Sequence, residues 1–445
     1  MTALLLTRRS IFAQAWPIML GQATVPLVGI ADTAVIGRTG DAVALAGVAL
    51  GSTVINFVFW TFGFLRMGMT GMTAQASGAG DEDEVRAMLV RGLALGLAIG
   101  AMLFALQVAI IPAAFALLAG GEALDRAAQG YVAARFFGAP AGLAVYALIG
   151  WFLGLGRTRA ALVLQVVMNC INIVADIVFV WRFGMGARGV GFGTAIAEWS
   201  ALFVGGAIAL SVLGPGALAA IRTRGRAMFD GAALKRLFAV NADIMIRTVA
   251  LLTTFAWFAN AGARLGTVPL AANQVLMQFV SVSAFVLDGF AFTAESRIGM
   301  AIGKGARGDF LRAFRLTGEF TALAGTGFAL GIAAAGPWLV AAMTDNAAVR
   351  NMAGDLLIWT ALVPLVGAPA WLLDGIFIGA TGTRALRNAA ILATILYVAT
   401  DLLLRPWAAT GMWIALLASY VWRALALGAY LPRLTRSIAE TPSRA

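Results

Sequence analysis

The sequence predicts an all-α membrane protein with twelve transmembrane helices in two parallel six-helix repeats. Three observations predict it: an extreme apolar composition, a series of apolar runs of membrane-spanning length, and short motifs that recur at one constant spacing. Hydrophobic residues make up 61% of the 445 positions and charged residues 12%, with a mean hydropathy of +0.89. A soluble domain carries about 25% charged residues, and a chain this apolar could not cover its own core with polar surface. The 52 glycines suit close helix approach in lipid, where packing rather than the hydrophobic effect holds helices together. The alternating strands and aromatic girdles of a β-barrel are not evident.

The runs occupy 11–36, 44–74, 88–118, 128–155, 160–181 and 190–213, then 237–263, 269–299, 311–343, 351–380, 386–404 and 410–431. Each reaches the roughly 20 residues that a helix needs to cross about 30 Å of hydrocarbon. The start, Thr7-Arg8-Arg9 before a long apolar stretch, reads as a retained first span, because the stretch passes Ile30 without a convincing cleavage site. Lys and Arg alternate between connections at about twenty against about seven, which places both termini in the cytoplasm. The cell envelope implied is a bacterial inner membrane. The domain division is 1–213 for an N-terminal lobe, 214–236 for a basic cytoplasmic linker with Pro215, 237–431 for a C-terminal lobe and 432–445 for a cytoplasmic tail. The linker's Arg222–Arg236 cluster is either an anionic-lipid contact or a tether obeying the positive-inside bias.

The repeat is the most informative pattern. Gly150-Trp151-Phe152-Leu153-Gly154 recurs as Gly375-Ile376-Phe377-Ile378-Gly379, Thr158-Arg159-Ala160 as Thr383-Arg384-Ala385, and Asp176 as Asp401, all 225 residues apart. An even number of spans per half makes the halves parallel repeats. Two such lobes facing one another leave a central cavity, and their rocking about a midplane site gives alternating access.

The net charge of +11 does not point to nucleic acid, because the basic residues sit at helix ends and not in an aromatic-interleaved patch. The single cysteine, Cys170, excludes a disulfide framework and reads as a small buried hydrophobe. With no histidine, proton chemistry falls to Asp, Glu or Tyr. The same scarcity of ligands leaves no metal or cofactor motif and no catalytic cluster, so an enzyme is not expected.

A charge at the bilayer centre costs at least about 2.5–3.5 kcal/mol, so intramembrane charges have a role or a partner. Gln165, Asn169, Asn172 and Asp176 are spaced by four, three and four residues and fall on one face of the fifth span. This stripe faces another helix or a wet cavity, as a functional surface or as interhelical glue. Asp32, after Pro17 and Pro26 in the first span, reaches a similar depth, and the prolines are candidates for bending that helix. Two carboxylates at one depth can share a proton, since both cannot ionise cheaply in a poorly polarisable medium. Asp32 read as a helix-end residue is the alternative. Glu198 contacts substrate or finds a buried donor. Asp288, Glu295 and Arg297 form a network or a second proton path. Asp243 and Arg247, four apart, pair with each other. In the repeat register Gln165, Asn169 and Asn172 meet Ala390, Thr394 and Tyr397, Asp32 falls near Trp257, and Arg405 stands where it could neutralise Asp401. The coupling site is therefore expected in the first lobe.

Asp32-Thr33-Ala34-Val35-Ile36-Gly37, Gly63-Phe64-Leu65-Arg66-Met67-Gly68, Leu287-Asp288-Gly289-Phe290 and Asp374-Gly375-Ile376-Phe377-Ile378-Gly379 together resemble signatures of the multidrug and toxic compound extrusion (MATE) transporters, specifically their DinF-type branch. The resemblance implies a V-shaped bundle of two six-helix lobes around the cavity. It implies efflux of small organic cations or amphiphiles driven by H⁺ or Na⁺ as coupling ion, with no cofactor. It also implies coupling residues Asp32, Asn172, Asp176 and Thr194, with Tyr131 on the fourth helix, and bending at Pro17. Gln165, Asn169, Glu198 and Asp288 are the expected substrate-cavity residues. The partners expected are the small-molecule substrate and the lipid bilayer, around a monomer and without nucleic acid. The competing reading is an exporter of organic anions or a flippase for lipid-linked saccharides. The excess of intramembrane acids over bases favours cationic substrates.

Overall fold

The computed structural model describes residues 6–118 and 121–439, and every regular element among them is helical. In order these are α1 (Arg8–Gly37), α2 (Ala42–Thr61), α3 (Phe64–Gly78), α4 (Glu82–Leu118), α5 (Glu122–Phe136), α6 (Ala139–Gly154), α7 (Thr158–Ile177), α8 (Gly186–Leu213) and α9 (Ala217–Met228). They continue with α10 (Gly231–Leu265), α11 (Thr267–Gly303), α12 (Arg307–Met343), α13 (Ala347–Gly379), α14 (Thr383–Leu404) and α15 (Ala408–Ala439). A π-helical turn, Val178–Arg182, extends α7, and a 3-10 turn, Arg405–Trp407, joins α14 to α15.

Ten segments are long and apolar enough to cross a membrane, and α5 with α6, bent by 54° at their junction, makes an eleventh. One of the ten, Thr383–Ile438, holds two helices, α14 and α15, which pack against each other. The chain thus makes the twelve crossings read from the apolar runs. Polar caps set several starts: Asp41 accepts from the Ala44 amide at 2.9 Å, and Asn346 accepts from the amides of Ala348 and Val349. Such side chains satisfy amides that have no partner within the first turn.

The 225-residue register is built into the backbone. It relates the starts of α4 and α12, of α5 and α13, and of α7 and α14. Left-handed turn residues obey it as well. Gly80 (φ 71°) matches Gly305 (φ 67°), and Gly156 (φ 69°) matches Thr381 (φ 51°), a conformation that β-branched residues rarely adopt. The glycine pairs explain the recurring motif. A side chain at Gly150 would strike the backbone of Arg66, and one at Gly154 the Thr70 carbonyl. In the other half Gly375 and Gly379 lie in the same way on the backbones of Ala291 and Glu295. Two small residues one helical turn apart let two helices meet backbone to backbone.

The chain divides into two compact units. One comprises Leu20–Ser77 and Asp81–Asn241; in it α2 packs on α5, α4 on α6, and α8 on α5, α6 and α7. The other comprises Met1–Met19, Gly78–Gly80 and Ala242–Ala445; in it α11 and α12 pack on α13, and α15 on α13 and α14. Its core holds Leu276, Leu356, Tyr397 and Trp413. The first span, assigned from the sequence wholly to residues 1–213, is one unbroken helix through Pro17 and Pro26, yet its membership changes after Met19. The expected linker, 214–236, contains the helix α9, docked on α4, where Arg91 donates to the Met228 carbonyl and pairs with Glu84 at 2.7 Å. The expected tail starts inside α15; residues 440–445 lie outside the described residues. Cys170 corrects an expectation: it is exposed, on the apolar side of α7. In lipid an apolar residue needs no burial, so apolarity does not point inward as it does in water.

Replacing Gly379 by Ala is expected to destabilise the protein by about 1–3 kcal/mol, because the new methyl group has to displace the backbone of α11. Gly331→Ala, with open space at that position, is the control. Thermal unfolding followed by size-exclusion fluorescence in detergent checks the contrast.

Candidate functional site

The site is built within the unit that spans Leu20–Asn241. The polar stripe of α7 faces inward as the spacing requires: Asn169, Asn172 and Asp176 are buried and Gln165 half-buried. Gln165 donates to Asn169 at 3.2 Å. Asn172 donates to Asp176 at 3.3 Å and to the Thr194 hydroxyl of α8 at 3.1 Å. Gly193 admits this arrangement, since any side chain there would occupy the place of the Asp176 carboxylate. Gly191 likewise lets α8 lie against the backbone of Tyr131 and Arg135 on α5. The glycine-rich start of α8 is therefore wedged between the two helices that carry the polar groups.

Asp32 of α1 is buried and within hydrogen-bonding reach of Asp176. The end of α1 is fixed by Trp181, whose indole donates to the Val35 carbonyl at 2.9 Å from the π-helical turn. Such turns appear frequently at functional sites. Tyr131 is buried within electrostatic reach of both aspartates. Asp32 Oδ1, Asp176 Oδ1 and Asn172 Oδ1 are buried without a hydrogen-bond partner among the described residues. Oxygen-rich and anionic, the group is suited to a proton or a small hard cation.

The structure thus brings together Asp32, Tyr131, Asn172, Asp176 and Thr194, with Gln165 and Asn169 continuing the stripe. Glu198 is in the same unit, buried and paired with Arg135 at 2.9 Å. Asp288 belongs to the other unit, half-buried and electrostatically linked to Tyr420. The pairing of Arg135 with a residue 63 positions away leaves no local pattern to read.

The other unit holds the repeat's counterpart in a neutralised form. Asp401 accepts from the Trp257 indole at 2.9 Å and lies 3.7 Å from Arg264. Its cationic partner is thus on α10 and is not Arg405, which stands in the 3-10 turn. Thr394 bonds to Thr254 at 3.1 Å, and Tyr397 is fully buried. The expected Asp243–Arg247 pair also yields to neighbours on other helices. Asp243 pairs with Arg387 at 2.6 Å and accepts from Thr383, while Arg247 pairs with Asp374. Arg423 approaches the same oxygen of Asp374 to 3.8 Å. Buried side chains on one helix reach across to its neighbours when packing presents a partner there.

Twelve crossings in two related halves, with a buried acid and amide cluster in one of them, define a polytopic membrane transporter. The MatE family model matches residues 17–178 and 245–403, and the two matches end 225 residues apart; the chain belongs to this family. It is 35% identical over 432 residues to DNA damage-inducible protein F of Escherichia coli K12, covering 96% of this chain and 93% of that one. Its fold is similar to that of a MATE transporter in the straight conformation (TM-score 0.85, 17% identity, 98% and 97% of the two chains). The same holds for the Vibrio cholerae MATE transporter VcmN in the bent form (0.83, 17%, 97% of each). A MOP superfamily transporter from Pyrococcus furiosus, described as having a binding pocket of reverse polarity, is also similar (0.82, 17%, 98% and 97%).

Asp176→Asn is expected to impair transport at least about tenfold more than Asp401→Asn, because Asp401 already has a cationic partner and the site of Asp176 offers a second acid. Initial rates in proteoliposomes, normalised to protein inserted, check the ratio.

Proposed function

We propose that this protein is a secondary active antiporter that exports small organic cations or amphiphilic compounds in exchange for H⁺, or for Na⁺, by alternating access. The observation that carries the reading is the pair Asp32–Asp176, buried together with unpartnered oxygens in one unit, while the equivalent pair in the other unit is Trp257–Asp401. Two carboxylates in a low-dielectric setting hold a cation or proton tightly, and a cationic substrate competes for the same charge. Occupation by the coupling ion then weakens substrate binding, which ties export of one to entry of the other. Asn172 and Thr194 position the acids, and Tyr131 closes the neighbourhood on the α5 side.

One observation favours a second reading, export of organic anions or lipid-linked saccharides. In the unit carrying α11–α15, the guanidiniums of Arg247 and Arg423 both approach one oxygen of Asp374. Competition of cationic and anionic compounds for one fluorescent substrate separates the two.

The antiport reading is tested with H⁺ and Na⁺ gradients imposed separately on proteoliposomes. Asp32→Asn, which mimics a permanently occupied carboxyl, is expected to abolish gradient-driven efflux while leaving a folded protein. Normal ion-for-substrate exchange by that variant would remove Asp32 from the coupling role. Both termini are proposed to be cytoplasmic, in a bacterial inner membrane. In a Cys170→Ser background, an impermeant maleimide added to intact cells is expected to label Arg38→Cys and to spare Lys304→Cys.

A further inference from the structure

Arg135 and Glu198 form a second charged group in the same unit as the acid pair. Their side chains are each 9% exposed and 2.9 Å apart. Glu198 fills a notch made by Gly138 and Gly142, where a side chain on either glycine would strike its carboxylate. The neighbouring Trp199 fixes the rotation of α8 by donating to the Phe137 carbonyl at 2.9 Å, at the bend between α5 and α6. The Arg135 guanidinium lies over the Phe59 ring, 5.3 Å from its centre. From this position its charge reaches Asp32 and Asp176 as well as Glu198.

Around Arg135 the unit therefore gathers three buried carboxylates, Asp32, Asp176 and Glu198. A guanidinium within about 4–6 Å of a carboxylate changes its affinity for a cation by about 10- to 1000-fold. If Arg135 were free to turn to the aspartates, it would supply from within the charge that a coupling ion supplies from outside. The other unit displays that outcome at Asp401, with Arg264 as its internal cation.

We propose that Glu198 is a positioning residue that occupies Arg135 and so keeps the Asp32–Asp176 pair dependent on an incoming cation. The inference rests on reading that pair as the coupling site. It makes the buried ion pair part of the coupling machinery and not a structural strut. Removing Glu198 alone releases Arg135 onto the aspartates; removing both partners returns the aspartates to their dependence on an external cation. The second loss is thus predicted to repair the first.

The test measures binding of H⁺ and of Na⁺ to the purified full-length protein in separate calorimetric titrations. Asp32→Asn is the reference for loss of the site. Glu198→Gln is expected to lower cation affinity at least about tenfold, and Arg135→Gln/Glu198→Gln to regain the parent affinity to within about threefold. The apolar double variant Arg135→Met/Glu198→Met is expected to behave as the second does. It retains the packing volume without a buried unpaired charge, so it keeps the test decisive if an amide variant fails to fold. Parent-like affinity in Glu198→Gln, or a double variant no better than the single one, overturns the inference. Gradient-driven exchange by the parent protein is measured in parallel. Its absence would count against antiport while leaving the binding result to judge Glu198.

Discussion

A carboxylate placed inside hydrocarbon has to be neutralised, and the interior of this protein is organised around the different ways in which that is done. Asp243 meets Arg387, Asp374 meets Arg247, Glu198 meets Arg135, and Asp401 meets the Trp257 indole with Arg264 nearby. Breaking a buried ion pair costs about 3–5 kcal/mol, so these contacts constrain which helices can be neighbours. Asp32 and Asp176 depart from the pattern: each has the other acid beside it. A like-charged pair is unfavourable at rest and becomes favourable when a cation arrives. That is the energetic requirement for a site that binds and releases ions.

The duplication sharpens the contrast. The glycine pairs Gly150–Gly154 and Gly375–Gly379 set the same close helix contact in both halves, so the scaffolds coincide at the level of backbone. Polar side chains on that scaffold have diverged. Asp32 is replaced by Trp257, Asn172 by Tyr397 and Glu198 by Arg423 at the same register. An indole donor opposite Asp401 satisfies the carboxylate permanently, as a second acid opposite Asp176 cannot. The same register thus carries a satisfied carboxylate in one half and a pair of adjacent acids in the other.

The sequence carried the fold well, because spanning a bilayer imposes a length and an apolarity that are visible residue by residue. It also carried the α7 stripe, since helical periodicity alone decides that Gln165, Asn169, Asn172 and Asp176 share a face. What it did not carry are contacts chosen between helices. The four-residue spacings of Asp243 with Arg247 and of Asp401 with Arg405 do not become pairs, because local proximity says nothing about better partners on adjacent helices. The bend between α5 and α6, the π-helical turn after Asp176 and the change of unit within α1 leave only weak marks: Gly138 with Pro140, no breaker at all, and Pro17 two residues before Met19. Cys170 is exposed because lipid removes the link between apolarity and burial.

These distinctions bear on how an ion site can be recognised in a membrane chain. Counting intramembrane acids does not find it, since acids occur in both units and most of those described are matched by guanidiniums. The discriminating feature is a local surplus that the protein's own cations are prevented from cancelling. In the unit containing Asp32, the guanidinium of Arg135 pairs with Glu198 and lies over Phe59, and the Glu198 carboxylate sits in the notch left by Gly138 and Gly142. The surplus of negative charge is therefore held in place by packing. On the proposed reading, a site maintained in this way costs stability in its empty form, and an incoming cation relieves that cost.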